Sequence, residues 1–383
     1  MKKNSLLLVF LCFVFIFNIH NKAFATSKGE ENGKSFSIDS LMKNTEIDIR
    51  INYGFFVHHH FEMTGYPAHF PMFELSLQKQ TYGKALWQSY FNYPTIGVGA
   101  YYSGFGDIDI LGKAYAIYPF INFPFNKSKV NTFGFRFGVG LGYLTKKFDH
   151  IENYHNTSIG SNFNAAISLT LEYKRQITDR YKMSAFAGLT HFSNGCSSQP
   201  NSGINIINAG ISASYMLTEP QEYIPRQKAK NDFSKIDPEF YAGMSFGIKR
   251  INYRQEENIA VYDLELYVMD RVSNLSKFGL GLDLVYDATD NLEIIDKYGA
   301  DAEFTFVEML KPGIGLAYEL MMGEASFIFN FGFHPYGLDM SYGRWYQKLG
   351  MKINIGKHIY GKIALNTHFG VADFIGFGLG IRL

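Results

Sequence analysis

The chain has 383 residues, with 36 Lys and Arg against 35 Asp and Glu, a formal net charge of +1. That near-balance argues against nucleic acid as a partner, since a basic stripe is the usual footprint of a nucleic-acid-binding protein. The composition is skewed elsewhere: 36 Phe and 26 Tyr against 2 Trp, together with 37 Gly.

The first 25 residues read as a targeting segment. Lys2 and Lys3 supply the positive end, Leu6 to Phe17 a short apolar run, and Ala23-Phe24-Ala25 a small-residue cleavage pattern. These are the marks of a secretory signal peptide over 1–25. No cysteine follows the expected cut, so no lipid anchor is expected there. Cys12 falls inside the leader and leaves Cys196 alone in the mature chain, which excludes an intramolecular disulfide. Beyond the leader, no uninterrupted apolar run reaches the roughly 20 residues of a membrane-spanning helix.

The mature chain alternates instead. Over 131–147, Phe133, Phe135, Phe137, Val139, Leu141 and Tyr143 alternate with Gly134, Arg136, Gly138, Gly140 and Gly142. Over 162–177, Phe163, Ala165, Ile167, Leu169, Leu171 and Tyr173 share one face, and Asn162, Asn164, Ser168, Thr170, Glu172 and Lys174 the other. The stretches 277–287 and 373–383 behave the same way. Side chains two apart share a face of a strand, and in a transmembrane barrel the outward face is apolar while the inward face is polar or small. A soluble β-sandwich also alternates. Here, however, the inward face mixes Gly with Lys, Glu and Asp, and the outward face is rich in Phe and Tyr at strand ends, as in an interfacial girdle.

Sixteen runs are expected, near 45–57, 71–82, 95–106, 113–125, 131–147, 162–177, 181–195, 203–217, 239–252, 261–273, 277–288, 311–322, 324–334, 347–358, 360–372 and 373–383. The fold class is therefore all-β, a transmembrane antiparallel β-barrel of about 14–16 strands. "TDR" at 178–180 is a tight periplasmic turn on this numbering, and the longer connections 148–161 and 196–202 lie outside the cell. The polar, Pro-containing stretch 218–238 falls on the periplasmic side, where turns should be short. It is either a linker between two eight-strand units, 45–217 and 239–383, or a long turn in one larger barrel. Eight strands enclose a filled interior and sixteen an aqueous lumen.

Within the seventh run, Tyr181, Met183, Ala185, Ala187, Leu189, His191 and Ser193 share the outward face. In the eighth, Asn205, Ile207, Ala209, Ile211, Ala213, Tyr215 and Leu217 do so. Each face turns polar only at its outer end. In a hairpin with the loop 196–202, Ser193 and Asn205 are expected opposite each other, so three polar groups converge on the lipid-facing wall near the rim. Singly, each reads as a rim residue wetted by headgroups. Together they read as an acyl-transfer site: Ser193 the nucleophile, His191 the base, Asn205 the group that orients the imidazole. Its substrate would come from the bilayer.

At His191-Phe192-Ser193-Asn194-Gly195, continuing through Gln199-Pro200-Asn201 and Gly203-Ile204, the sequence resembles the outer-membrane lipid A 3-O-deacylases, the PagL family. The resemblance is strongest over 181–217, diffuse over 45–217, and does not extend to 218–383. It implies a metal-free and cofactor-free Ser hydrolase in the bacterial outer membrane. The implied reaction removes an ester-linked 3-hydroxyacyl chain from lipid A, the lipid portion of lipopolysaccharide, among outer-membrane lipids. His191 and Ser193 match the family's base and nucleophile, and the Asn194 side chain and Gly195 N–H its oxyanion donors. The family pattern has Glu at the position of Asn205. Asn can hold the imidazole but cannot offset the imidazolium charge; in serine proteases an Asp-to-Asn change costs about 10⁴ in turnover, largely through the wrong tautomer.

Other motifs read blandly. His58-His59-His60 lies in an outer loop, and adjacent residues rarely chelate together. His368 in the second "THF" points into the lumen and no Ser follows it at the required spacing. Cys196 is expected to be exposed, with nothing basic to activate it. "GLGYL" at 140–144 lies within a strand and is no phosphate loop. The rival functional reading is a non-catalytic channel or scaffold, based on Asn205 and on a polar second-half lumen containing Asp263, Glu265, Asp283, Glu319, Lys348 and Lys352. Oligomeric state is left open.

Overall fold

A computed structural model of the chain describes residues 42–383 except 59–64, 66–68, 127, 129, 227–232, 234–235, 253, 255–256, 300 and 302. The expected leader 1–25, His59 and His60 lie outside the described residues. Sixteen antiparallel strands close into two separate eight-strand barrels rather than one large one. The first is built from β1 (Thr45–Phe56), β2 (His69–Gln80), β3 (Thr95–Ser103), β4 (Ala114–Pro124), β5 (Asn131–Leu144), β6 (Phe163–Gln176), β7 (Tyr181–Ser193) and β8 (Ile204–Met216). It closes where β1 pairs with β8. The second is built from β9 (Glu239–Lys249), β10 (Ile259–Arg271), β11 (Ser276–Asp287), β12 (Leu310–Met322), β13 (Ala325–Phe333), β14 (Trp345–Ile355), β15 (Ile359–His368) and β16 (Val371–Arg382). It closes where β16 pairs with β9. No helix among the described residues is long and apolar enough to cross a membrane.

The alternation read from the sequence is the alternation observed. On β6, Phe163 and Leu171 are exposed outside, while Asn164, Ser168, Thr170 and Glu172 are buried inside. One position departs from it. A register shift between Asn366 and Thr367 turns Thr367 inward, where its hydroxyl donates to Val371 O at 2.7 Å. Among the described residues, two short helices, α1 (Leu86–Tyr90) and α2 (Asp290–Tyr298), carry too few turns to imprint a period on the sequence.

Both interiors are filled, as eight strands require. In the first barrel Arg50 lies 2.6 Å from both Asp48 and Glu172, and Arg136 pairs with Glu74 while its guanidinium sits 3.4 Å over the Phe120 ring. In the second, Lys348 lies 2.6, 2.9 and 2.7 Å from Asp263, Glu265 and Asp283, Lys352 pairs with Glu319 at 2.6 Å, and Lys362 pairs with Glu265. A desolvated charge is costly unless paired. The residues that suggested a wet lumen thus plug it with one another. The glycine alternation serves the same filling: a Cβ on Gly332 would lie 2.1 Å from Tyr346 Cζ, so only glycine lets that ring cross the interior.

At one end of the first barrel, called here the loop end, the polar interior gives way to an apolar plug that includes Phe56, Phe70, Phe105, Leu144, Phe192, Ile204 and Ile206. At the opposite end, part of 218–238 packs on the first barrel. Tyr93 Oη donates to Ile224 O at 2.8 Å, and Arg226 Nη2 donates to Ser89 O, on α1, at 2.9 Å. The barrels also touch wall to wall, with the Phe137 and Phe327 rings 5.1 Å apart.

Candidate active site

The site begins with β7 and β8. Inward-facing Phe192 is fully buried, its ring 5.8 Å from Tyr101 and 5.7 Å from Phe105. Inward-facing Ile204 and Ile206 are fully buried as well. Alternation then forces His191, Ser193 and Asn205 onto the outer wall. The polar face is backed by the apolar plug, which fixes the backbone that carries it.

His191 is directly opposite Asn205 in the ladder, and their side chains meet, Nδ1 to Oδ1, at 2.6 Å. This corrects the expected pairing of Ser193 with Asn205: the hairpin is slipped by one two-residue step, which keeps every face but changes the partner. A carboxamide oxygen only accepts, so Nδ1 carries the proton and Nε2 is the basic nitrogen.

Ser193 ends β7. Its hydroxyl donates to Asn201 Oδ1 at 3.2 Å, and the same oxygen accepts the Asn194 N–H at 3.0 Å. The Gly195 N–H donates to Ser193 Oγ at 3.3 Å. Sequence reasoning singled out no role for Asn201. It lies inside the stretch that carries the resemblance, but a loop has no period that reveals what its side chains hold. Asn194 is placed differently from its neighbours. Its side chain is buried, with Nδ2 donating to Ser161 Oγ at 3.0 Å and Oδ1 accepting the Ser198 N–H at 3.2 Å. The structure therefore brings His191, Ser193, Asn205 and the Gly195 N–H to one side of the wall and sends the Asn194 carboxamide to the other.

The turn after Ser193 is left-handed at Gly195 (φ 58°) and at Cys196 (φ 64°). For a non-glycine residue that conformation costs on the order of 1–3 kcal/mol and needs support. The second barrel supplies it. Arg250 N–H donates to Cys196 O at 2.8 Å, and Cys196 Sγ donates to Ala372 O at 2.9 Å. A Cβ on Gly195 would lie 2.4 Å from Ile375 Cγ1, so β16 rests directly on this turn. Cys196 is thus half-buried between the barrels and not exposed as expected. Burial pushes its thiol up, away from the reactive thiolate.

The other candidates separate from the site. His368 projects inward in the second barrel, with Nε2 3.8 Å from Asp373 Oδ2 and its Nδ1–H on Trp345 O at 2.9 Å. Asp263, Glu265 and Asp283 are close enough to share a cation, but the Lys348 ammonium already contacts all three.

Residues 72–214 match a family model described as lipid A 3-O-deacylase (PagL), and residues 238–383 match one described as acyloxyacyl hydrolase, C-terminal domain. Among curated proteins no relative matches. Among solved structures the chain is similar to the outer membrane enzyme PagL at 16% identity, over 43% of this chain and 97% of that one, with a TM-score of 0.33. It is similar to a mutant of the monoaromatic hydrocarbon channel TodX at 8% identity, over 88% of each chain, with a TM-score of 0.18. A triple mutant of the Rhodopseudomonas blastica porin matches at 6% identity, over 88% of this chain and 99% of that one, with a TM-score of 0.17.

Proposed function

The chain belongs to the lipid A 3-O-deacylase (PagL) family, and on that premise we propose that it is a serine esterase of the bacterial outer membrane that removes an ester-linked 3-hydroxyacyl chain from lipid A. The observation that carries the reading is the 2.6 Å contact between His191 and Asn205 on the lipid-facing wall, two residues from Ser193. A base on that wall meets bilayer lipids and not solutes of the lumen, and both lumens are plugged.

The chemistry is built on that geometry. Rotation of the Ser193 side chain exchanges Asn201 for the imidazole. Oγ attacks the ester carbonyl carbon as Nε2 takes its proton. The Gly195 N–H, already aimed at Oγ, donates to the oxyanion that appears on the former carbonyl oxygen. Asn194 serves the same end by holding its loop through Ser161 and Ser198. The tetrahedral intermediate collapses as the C–O bond to the sugar breaks and Nε2–H protonates the leaving oxygen. Water, deprotonated by Nε2, then cleaves the acyl-enzyme to the free hydroxy acid. Asn205 keeps the imidazole in the required tautomer throughout.

Mass spectrometry of lipid A from cells making the intact protein or Ser193→Ala tests this. Loss of one hydroxyacyl chain with the intact protein alone supports it; unchanged lipid A with a correctly inserted barrel refutes it. A non-catalytic barrel is the second reading, favoured by Asn205 where the family has an acid. Its channel form predicts conductance in planar bilayers.

A further inference from the structure

At the loop end, where the barrels meet, there is an open groove of about 1010 Å³ whose walls include Tyr143, Lys147 and Phe163 from the first barrel, Gln199 from the turn after Ser193, and Arg250 and Asn258 from the second barrel. We propose that this groove seats a phosphate on the sugar headgroup of the lipid substrate, between Arg250 and Lys147. The inference rests on the deacylase reading for the identity of that substrate.

Three observations carry it. First, the groove is tied to the nucleophile. Arg250 N–H donates to Cys196 O at 2.8 Å, and Gln199 Nε2 donates to Arg250 O at 3.1 Å. Both partners belong to the segment that leaves Ser193, so Arg250 holds a fixed station beside the ester-cleaving group. Ser193 does not itself line the groove, and the link between them runs through Cys196 and Gln199 of the turn that follows it.

Second, neither cation forms an ion pair among the described residues, although Lys147 lies within Coulombic reach of Asp149 in the same groove. The Arg250 Nε–H donates to the neutral Asn258 Oδ1 at 2.8 Å, and neither Arg250 nor Lys147 has a carboxylate at ion-pair distance among the described residues. The carboxylate in the groove, Asp149, directs one oxygen onto its own turn, accepting the Ile151 N–H at 2.8 Å and the Glu152 N–H at 3.0 Å. The guanidinium fork is the side-chain geometry best matched to a phosphate, and the ammonium adds a point charge.

Third, the remaining wall suits a sugar at a membrane surface. The Tyr143 and Phe163 rings lie 5.2 Å apart on the outward face, at the level where aromatic residues of a barrel meet headgroups. One cation comes from each barrel, so the site exists only where the two are joined. This gives the second barrel a share in substrate recognition.

The test uses full-length Ser193→Ala protein in detergent micelles, so that binding is read without turnover. It is titrated with bisphosphorylated lipid A, with the same lipid A after removal of its phosphates, and with inorganic phosphate. The phosphorylated lipid is expected to bind at least about tenfold more tightly than the dephosphorylated one. Arg250→Gln or Lys147→Gln should abolish most of that preference and leave affinity for the dephosphorylated lipid unchanged, while Arg250→Lys restores part of it. Each variant keeps the backbone bonds to 196 and 199. Equal affinity for the two lipids, or variants that weaken both alike, overturns the proposal. Inorganic phosphate binding as tightly as the lipid, in an Arg250-dependent way, overturns the assignment to a headgroup. Turnover of the Ser193 protein is measured separately. Absent cleavage with phosphate-dependent lipid binding would sink the deacylase reading and leave the groove standing; cleavage indifferent to phosphate would do the reverse.

Discussion

Asn205 Oδ1 lies 2.6 Å from His191 Nδ1 across one rung of the β7–β8 ladder. The imidazole is thereby oriented by a neutral group, and Asn205 itself brings no charge to offset the positive one the imidazole would acquire as the proposed base. An acidic residue at this position would supply orientation and charge compensation together; Asn205 supplies the first alone.

Asn205→Glu should therefore raise ester turnover, by well under the about 10⁴-fold that the reverse change costs in serine proteases, because that loss comes largely from the wrong tautomer and Asn205 already holds the right one. Asn205→Ala should lower it, because orientation is then lost as well. Single-turnover rates on lipid A in micelles check the order Glu, Asn, Ala. Equal rates for Asn and Ala would show that the contact does not serve catalysis.

Gly203→Ala should impair catalysis in a folded barrel. Gly203 has φ 80°, and an added Cβ would lie 2.9 Å from His191 Cε1. The ring must shift, and a misplacement near 1 Å costs about 10²-fold in rate. The expected result is a drop in kcat of that order with the heat resistance of the barrel in detergent largely kept.

Phe192→Ala should act through stability. The side chain is fully buried against Tyr101 and Phe105, and removing such a ring costs about 3–5 kcal/mol. The melting temperature falls, and activity falls with it, because His191 and Ser193 flank this residue on the opposite face. Phe192→Leu should recover most of both.

Acid should loosen the second barrel through His334, which comes directly after β13. Burial is the main cause that pulls its pKa from 6.5 to about 4. The neutral ring stacks on Tyr346 at 4.3 Å and donates through Nδ1–H to Pro312 O at 2.9 Å. Its folded-state pKa is depressed, so its contribution is present above 6.5 and is lost as pH falls toward about 4. The loss is on the order of 3 kcal/mol. Melting temperatures across that window should fall for the intact protein and stay flatter for His334→Gln.

The strands were legible because a period of two survives in the sequence whatever the fold does with it. Phe163, Leu171, Glu172 and the face shared by His191 and Ser193 all lie where alternation puts them. Closure was not legible. Pairing β1 with β8, and not with the last strand, depends on contacts far apart in sequence that no local pattern records. The partner of Asn205 shows the same limit at short range: period two fixes the face, while a slip of two residues leaves it unchanged. Asn201 and the half-burial of Cys196 stayed hidden because both depend on how a loop folds back, and Cys196 also on a neighbour from another barrel.

The hydrogen bond from Cys196 to Ala372 spans 176 positions of the chain. The first barrel can close as soon as β8 meets β1, but the turn after Ser193 gains its full brace, from Arg250 and then from Ala372 and Ile375, only once the last strand is in place. A chain halted between the barrels would hold a complete cylinder with the turn after Ser193 unbraced. On the proposed esterase reading, competence to cleave lipid would thus arrive only at the end of biogenesis, because a half-assembled molecule lacks the brace beside Ser193.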